Sequence, residues 1–251
     1  MYKQDFDTVC GAAESKLRAM RASPVGYFAA SVLAGMFVAF GSFVSVTVSG
    51  LLAQYAGIAK LASAFAFASA LSLVIMAGSE LFTGNNMVMA AGVFAGRVPA
   101  VDTMKLRLFC WIGNYVGAWL AVAVYHFTGL ITGATAEAFS ALAAAKLSQT
   151  GVQMFVRGVL CNILVCLAVW CSLKMKSEAA KLVMVFWCIF VFMVCGFEHS
   201  IANMSGIGVA VMEGTAMFWE YVRDIGLVTM GNIAGGVLFV ALPYWLCARK
   251  G

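Results

Sequence analysis

The chain has 251 residues, 63% of them hydrophobic and 11% charged, with three prolines and a formal net charge of +5. A water-soluble domain carries about 25% charged and 45–50% apolar residues. A soluble enzyme, a disordered segment and a Pro-rich fibre are therefore excluded, and a polytopic membrane protein remains. The excess positive charge is not a nucleic-acid footprint, because its distribution serves to orient the chain.

Residues 1–22 are polar where a cleavable signal would need an apolar core. Val9, Ala13, Leu17 and Met20 recur at helical steps. This predicts an amphipathic helix on the membrane surface, ended by Ser23-Pro24. A spanning helix needs about 20 apolar residues. Six stretches qualify, roughly 25–53, 61–95, 106–131, 150–173, 182–213 and 225–247, within a channel domain over 23–248. The second and fifth are overlong and interrupted by polar residues, so each is read as one discontinuous helix. With six spans, 12 Lys and Arg fall on the side of the termini, three (Lys60, Lys146, Arg223) on the other, and Arg157 inside a span. Both termini are then cytoplasmic. The expected location is the inner membrane.

The two interruptions resemble each other. Gly78-Ser79-Glu80 opens the first and Asn86-Met87 closes it; Gly196-Phe197-Glu198 and Asn203-Met204 do the same for the second. Gly113-Asn114-x-x-Gly117 recurs as Gly231-Asn232-x-x-Gly235, and five of these positions share an offset of 118 residues (198 − 80 = 118). Two repeats of three spans, about 24–133 and 134–248, must have opposite orientation, related by an axis in the membrane plane. The all-α architecture predicted is six helices in an inverted 3+3 repeat with two broken helices. The Gly-Asn pair reads chiefly as helix packing, while Asn203 and Asn232 are also assigned to supporting the second loop. An ionisable residue at mid-bilayer costs roughly 2.5–3.5 kcal/mol. Glu80 and Glu198 therefore read as acceptors for the backbone N–H groups freed at the breaks.

Each break leaves a half-helix, beginning near Gly84 and near Ala202. Its N-terminus carries roughly half a positive charge and unpaired donors, which favour an anion. His199 lies at a break and titrates near neutral pH, so it is the candidate proton donor, with Thr83 facing it from the other loop. His126, near the end of a span, reads as an ordinary polar residue. Moving a bare anion into hydrocarbon costs on the order of 20 kcal/mol in the Born limit. Protonating an acid of pKa ~4 at neutral pH costs about 4 kcal/mol. Passage as a neutral weak acid is the cheaper route. The eight cysteines lack Cys-x-x-Cys spacing and sit mostly in apolar runs, so they read as small core residues. No metal or other cofactor is expected.

The runs Ser79–Asn85, Gly196–Met204 and Cys161–Trp170 resemble the formate/nitrite transporter family over essentially Pro24–Trp245. The resemblance implies an aquaporin-like pentamer with one pore per protomer, passing small monovalent anions: formate, nitrite or hydrosulfide. It implies that Thr83, His199 and Asn162 form the pore centre and that Lys146 attracts anions at the outer vestibule. It also implies that Leu81, Phe82 and Ala202 form a cytoplasmic slit and Phe67, Leu71 and Phe192 a periplasmic one. Thr83-Gly84-Asn85 and Arg157 are more similar to the nitrite and hydrosulfide branches. The expected function is transport of nitrite or formate, with protons, lipid and four further copies as partners. A hydrosulfide channel is the alternative. A neutral-solute channel would need Asn-Pro-Ala loops, and an intramembrane serine protease has no nucleophile elbow here.

Overall fold

The computed structural model describes residues 2–249; Lys250, counted in the charge tally above, lies outside them. The elements are α1 (Tyr2–Ala22), α2 (Pro24–Leu51), α3 (Ala56–Phe67), α4 (Ser69–Met76), α5 (Phe82–Phe94), α6 (Ala100–Phe127), α7 (Gly133–Leu147), α8 (Gly151–Lys174), α9 (Glu178–Cys195), α10 (Ser200–Met212) and α11 (Phe218–Gly236). A π-helical turn, Val237–Ala241, leads into α12 (Leu242–Arg249). Six segments are long and apolar enough to cross a membrane: α2, α3–α4, α6, α8, α9 and α11–α12. The half-helices α5 and α10 complete the two interrupted segments.

The differences from the sequence expectation have local causes. The sixth span starts at Phe218 rather than near 225, because Glu220, Arg223 and Asp224 are carried in its first turns. α7 is a helix in a stretch read as a connection; its seven alanines and two leucines favour a helix, but they carry no clear period. α1 forms as predicted and ends at Ser23, whose hydroxyl accepts from the Gly26 N–H while Pro24 opens α2. Its apolar stripe does not face lipid, however. Phe6, Val9, Ala13 and Leu17 are buried in the core of the bundle, against α5 and α12 among others. Four ion pairs tie α1 to separate segments: Asp5–Lys174 at 2.6 Å, Asp7–Arg97 at 2.5 Å, Lys16–Glu80 at 2.7 Å and Arg21–Asp102 at 2.5 Å. Burial also pushes the Cys10 thiol of this helix up to about 11, which keeps it protonated and inert.

The breaks are built alike. Gly78 and Gly196 both have φ of +74°, a left-handed conformation that costs glycine nothing and ends the preceding helix. The next backbone N–H groups turn outward to the long spans: Glu80 donates to the Ala30 carbonyl and Glu198 to the Arg157 carbonyl, each at 3.2 Å. Two asparagines then clamp the loops. Asn114 Oδ1 accepts from the Phe82 N–H at 2.9 Å, and its Nδ2 donates to the carbonyls of Ser31 (2.7 Å) and Glu80 (2.9 Å). Asn232 repeats this with the Ser200 N–H (2.9 Å) and the carbonyls of Gly158 (2.8 Å) and Glu198 (3.0 Å). The flanking glycines let the helices approach closely: a Cβ on Gly117 would lie 2.0 Å from the Val32 carbonyl oxygen, and one on Gly235 2.3 Å from that of Val159. The two halves also touch on their symmetry axis, where Trp111 Nε1 donates to Thr229 Oγ1 at 3.3 Å (229 − 111 = 118).

Gly117→Ala should destabilise the solubilised protein by roughly 3 kcal/mol or more, because the obstacle is backbone. Gly226→Ala, with open space around it, should be neutral or gain up to about 1 kcal/mol of helix propensity. Thermal melting of the two variants side by side checks both. Asn232→Ala strands the Ser200 N–H and two carbonyls in the core, each worth about 1–3 kcal/mol. It should melt well below a variant truncated on the lipid-facing surface.

Candidate functional site

The two breaks meet in the middle of the bundle. Thr83, in the first turn of α5, and His199, the N-cap of α10, are both buried, and Thr83 Oγ1 lies 3.0 Å from His199 Nε2. His199 Nδ1 accepts from the Ala202 N–H at 3.1 Å, capping α10. In the neutral ring the proton therefore sits on Nε2 and is donated to Thr83 Oγ1, which leaves the threonine hydroxyl proton free for a third partner. A second proton can be placed on Nδ1 only by releasing the Ala202 N–H. Phe192 stacks against the imidazole with ring centroids 6.0 Å apart, and Phe67 meets Phe192 edge-on at 5.8 Å.

A cavity opens on either side of this pair. On the face bearing α1, a cavity of about 430 Å³ is lined by Lys16, Ser79, Glu80, Asn85, Leu71 and Leu81 among others. On the face bearing α7, a cavity of about 50 Å³ is lined by Lys146, Asn203, Ala202, Phe67, Phe192 and His199 among others. Between them lies a pocket of only about 10 Å³, walled by apolar side chains and His199. That is room for about one water, so a hydrated ion does not fit.

Leu71 thus belongs to the α1 side and Ala202 to the α7 side, the reverse of the slits implied by the resemblance. The reason is helical rise: Leu71 is one turn beyond Phe67 toward the first break, and Ala202 is one turn beyond His199 toward the α7 face. Phe82 lines none of these three cavities; it is buried behind the first break with its N–H held by Asn114. Asn162 does not bond His199. Its Nδ2 donates to the Thr83 carbonyl at 3.2 Å and to the Asn232 carbonyl at 2.5 Å, so it joins the first break to α11.

Each vestibule holds a lysine–glutamate–asparagine cluster. Lys16 Nζ donates to both Glu80 oxygens at 2.7 Å, and Asn85 Nδ2 (3.0 Å) and the Tyr27 hydroxyl (3.0 Å) donate to Glu80 Oε2. Opposite, Glu198 accepts from Lys146 Nζ, from Gln149 Nε2 at 2.8 Å and from Asn203 Nδ2 at 2.9 Å. Glu80 and Glu198 therefore accept from side chains, while the loop N–H groups go to backbone and asparagine acceptors. Both lysine side chains stay partly exposed, at 23% and 19%, so they present charge to the cavities. Lys16, Tyr27, Asn85, Asn114 and Gln149 were not picked out from sequence as site residues. The offset of 118 could have found two of them, since Asn85 and Asn114 map onto Asn203 and Asn232.

The remaining candidates take ordinary places. His126 Nδ1 lies 2.7 Å from Glu213 Oε1 at the surface, joining the ends of α6 and α10. Arg157 is half-buried on α8. All eight cysteines are free; Cys10, Cys110, Cys161, Cys166 and Cys188 are buried, Cys171 is half-buried, and Cys195 and Cys247 are exposed. Among the described residues no group of three His, Cys, Asp or Glu side chains could hold a metal ion.

Comparison with known proteins places this arrangement. Residues 3–246 match the family model described as formate/nitrite transporter. The chain is 33% identical over 252 residues to the nitrite transporter NirC of Escherichia coli, covering 97% of this chain and 92% of that protein. It is 38% identical over 240 residues to a probable formate transporter of Methanothermobacter thermautotrophicus, covering 88% of each. Among solved structures, an FNT family ion channel superposes with a TM-score of 0.91 at 30% identity, covering 97% of this chain and 98% of that one. A pentameric formate channel with formate bound superposes with a TM-score of 0.80 at 28% identity, covering 92% and 100%. With two inverted breaks, two charged vestibules and a match along nearly its whole length, the chain belongs to the formate/nitrite transporter family.

Proposed function

We propose that the protein carries small monovalent anions of weak acids, nitrite or formate, through a pore in each protomer, and that His199 governs their protonation at the centre. The carrying observation is the Thr83–His199 contact, which lies between two lysine-bearing vestibules beside an apolar pocket too small for a hydrated ion. The relatives named as nitrite and formate transporters support this substrate class. Lys146 or Lys16 draws the anion in, and the hydroxyl of Thr83 and the Nε2–H of His199 offer it donors. It then crosses the apolar constriction of Leu71, Leu81, Phe67 and Phe192 as the neutral acid. To hand over a proton the imidazole must first bind a second one at Nδ1, which costs the cap of α10; protonation and the geometry of that half-helix are thereby linked.

The α1 face is the cytoplasmic one in this reading, because the basic residues concentrate there, and the membrane is the inner one. The pentameric relative supports assembly of five copies, and lipid covers the apolar surface that remains. In such an assembly residues 1–22 form a cytoplasmic helix ahead of the channel domain over 23–248.

Protein in liposomes, offered gradients of nitrite, formate, hydrosulfide and glycerol, tests the substrate class; glycerol flux without anion flux would overturn it, and hydrosulfide alone would favour the alternative. Acid should speed wild-type anion flux, because protonation then costs less. His199→Asn should lose at least about tenfold of that flux and its rise with acidity, in line with removal of a proton donor. Unchanged flux with an unchanged pH profile would refute the role. Lys146→Ala should cut uptake from the α7 face by roughly tenfold at low ionic strength, and by much less in high salt; Lys146→Arg should retain most of it.

A further inference from the structure

One hydroxyl on the α7 side takes part in none of these contacts. α2 packs against α7 and brings two serines, Ser42 and Ser45, to the wall of the cavity of about 50 Å³. A serine in a helix commonly returns its proton to the carbonyl four residues back. Ser42 does so, with its hydroxyl 3.2 Å from the Val38 carbonyl, and it accepts from Ser205 Oγ at 3.0 Å. Ser45, one helical turn further on, does not. It is only 4% exposed and lines the cavity, and its hydroxyl has no hydrogen-bond partner among the described residues.

The other polar side chains of this wall are already engaged. Both protons of Asn203 Nδ2 go to carboxyl groups, Glu198 at 2.9 Å and the buried Asp224 at 2.8 Å. The Nε2–H of His199 goes to Thr83, and its Nδ1 accepts from Ala202. Lys146 spends one of its three ammonium protons on Glu198. Two side-chain donors therefore stay open among the described residues, the ammonium of Lys146 and the hydroxyl of Ser45. Much of the remaining wall is apolar, including Val46, Leu142, Met193 and Phe197. A water-sized body needs about 10–15 Å³, so about 50 Å³ suits one nitrite or formate without its full hydration shell.

The α1 side is built differently. The carbonyls of Ala30 and Arg157, which receive the two breaks, set α2 and α8 in register at 127 residues (157 − 30 = 127). Val46 and Leu173, related by that register, line opposite cavities. Ser42 then corresponds to Val169 and Ser45 to Ser172. Val169 lines the wide cavity, and the Ser172 hydroxyl donates to the Val169 carbonyl at 2.8 Å. The equivalent span therefore gives its cavity no open hydroxyl.

We infer that the α7-side cavity is a holding site for one oxyanion, bound by Lys146 and Ser45, and that Ser45 sets the preference among permeants. The lysine attracts any anion. The hydroxyl adds a directional bond to an oxygen of nitrite or formate, which has lost water to enter. Hydrosulfide spreads its charge over one large sulfur, accepts hydrogen bonds weakly and gains little from the serine. A site built around such a donor discriminates against a ligand that cannot use it. Ser45 is thus a specificity-determining residue, and the inference rests on anion transport as proposed above.

Purified protein in liposomes, with initial influx followed from trace to saturating anion at fixed pH, reads the holding site apart from the barriers. Ser45→Ala should raise the half-saturating concentration of nitrite and of formate by about tenfold, in line with one hydrogen bond to a charged group. Influx at trace concentration, which the barriers set, should stay nearly unchanged. The hydrosulfide concentration that halves trace nitrite influx should also stay nearly unchanged. Ser42→Ala removes a hydroxyl of the same wall that is already bonded within the protein, and should move all three anions alike. An unshifted half-saturation in Ser45→Ala, an equal shift for hydrosulfide, the same oxyanion-specific shift in Ser42→Ala, or wild-type influx that does not saturate would overturn the inference. Absence of anion influx in the wild type would instead sink the function on which it rests.

Discussion

A helix that stops inside hydrocarbon must find partners for its freed N–H and C=O groups, and the rest of the structure depends on how that is done. Asn114 and Asn232 do it in the same way, each giving one acceptor and two donors to a break and to the neighbouring long span. With the backbone satisfied by amides, the carboxylates of Glu80 and Glu198 are released for another task. They hold lysines at the mouths of the two cavities, where the side chains stay partly exposed. The open chain ends of the half-helices then face the centre, where Thr83 from one repeat meets His199 from the other.

Much of this was legible because apolar sequence makes polar residues conspicuous. Glu80 and Glu198 between hydrophobic runs have few uses other than at a break, and the paired spacing gives away the inverted repeat. Gly-Asn-x-x-Gly was harder, since helix packing and loop clamping call for the same residues; the glycines serve the first and the asparagines the second. Lys16 was hidden by its surroundings. On an amphipathic helix a lysine reads as solvated, and its partner Glu80 is 64 residues away. The first spans of the two repeats could not be matched by one offset. The carbonyls that receive Glu80 and Glu198 belong to Ala30 and Arg157, which are 127 residues apart (157 − 30 = 127), not 118. The first repeat is therefore nine residues longer between its first span and its break, enough to blur any self-comparison.

The slits also illustrate how a resemblance and a structure divide the work. Five of the six positions line a cavity, yet one helical turn decides which cavity Leu71 and Ala202 face. Composition cannot supply that, because leucine and alanine are equally at home on both sides. The burial of Asp224 behind Asn203 is equally invisible in the sequence.

The meeting of Trp111 with Thr229 carries a different lesson. Residues that touch their own counterparts lie on the two-fold axis, and two identical subunits would be forced to put the same side chain there twice. Two indoles would collide, and two hydroxyls would leave a gap. A large donor against a small acceptor is open only to halves joined in one polypeptide, so at this spot covalent fusion gives the seam a freedom that a symmetric pair of separate chains could never have.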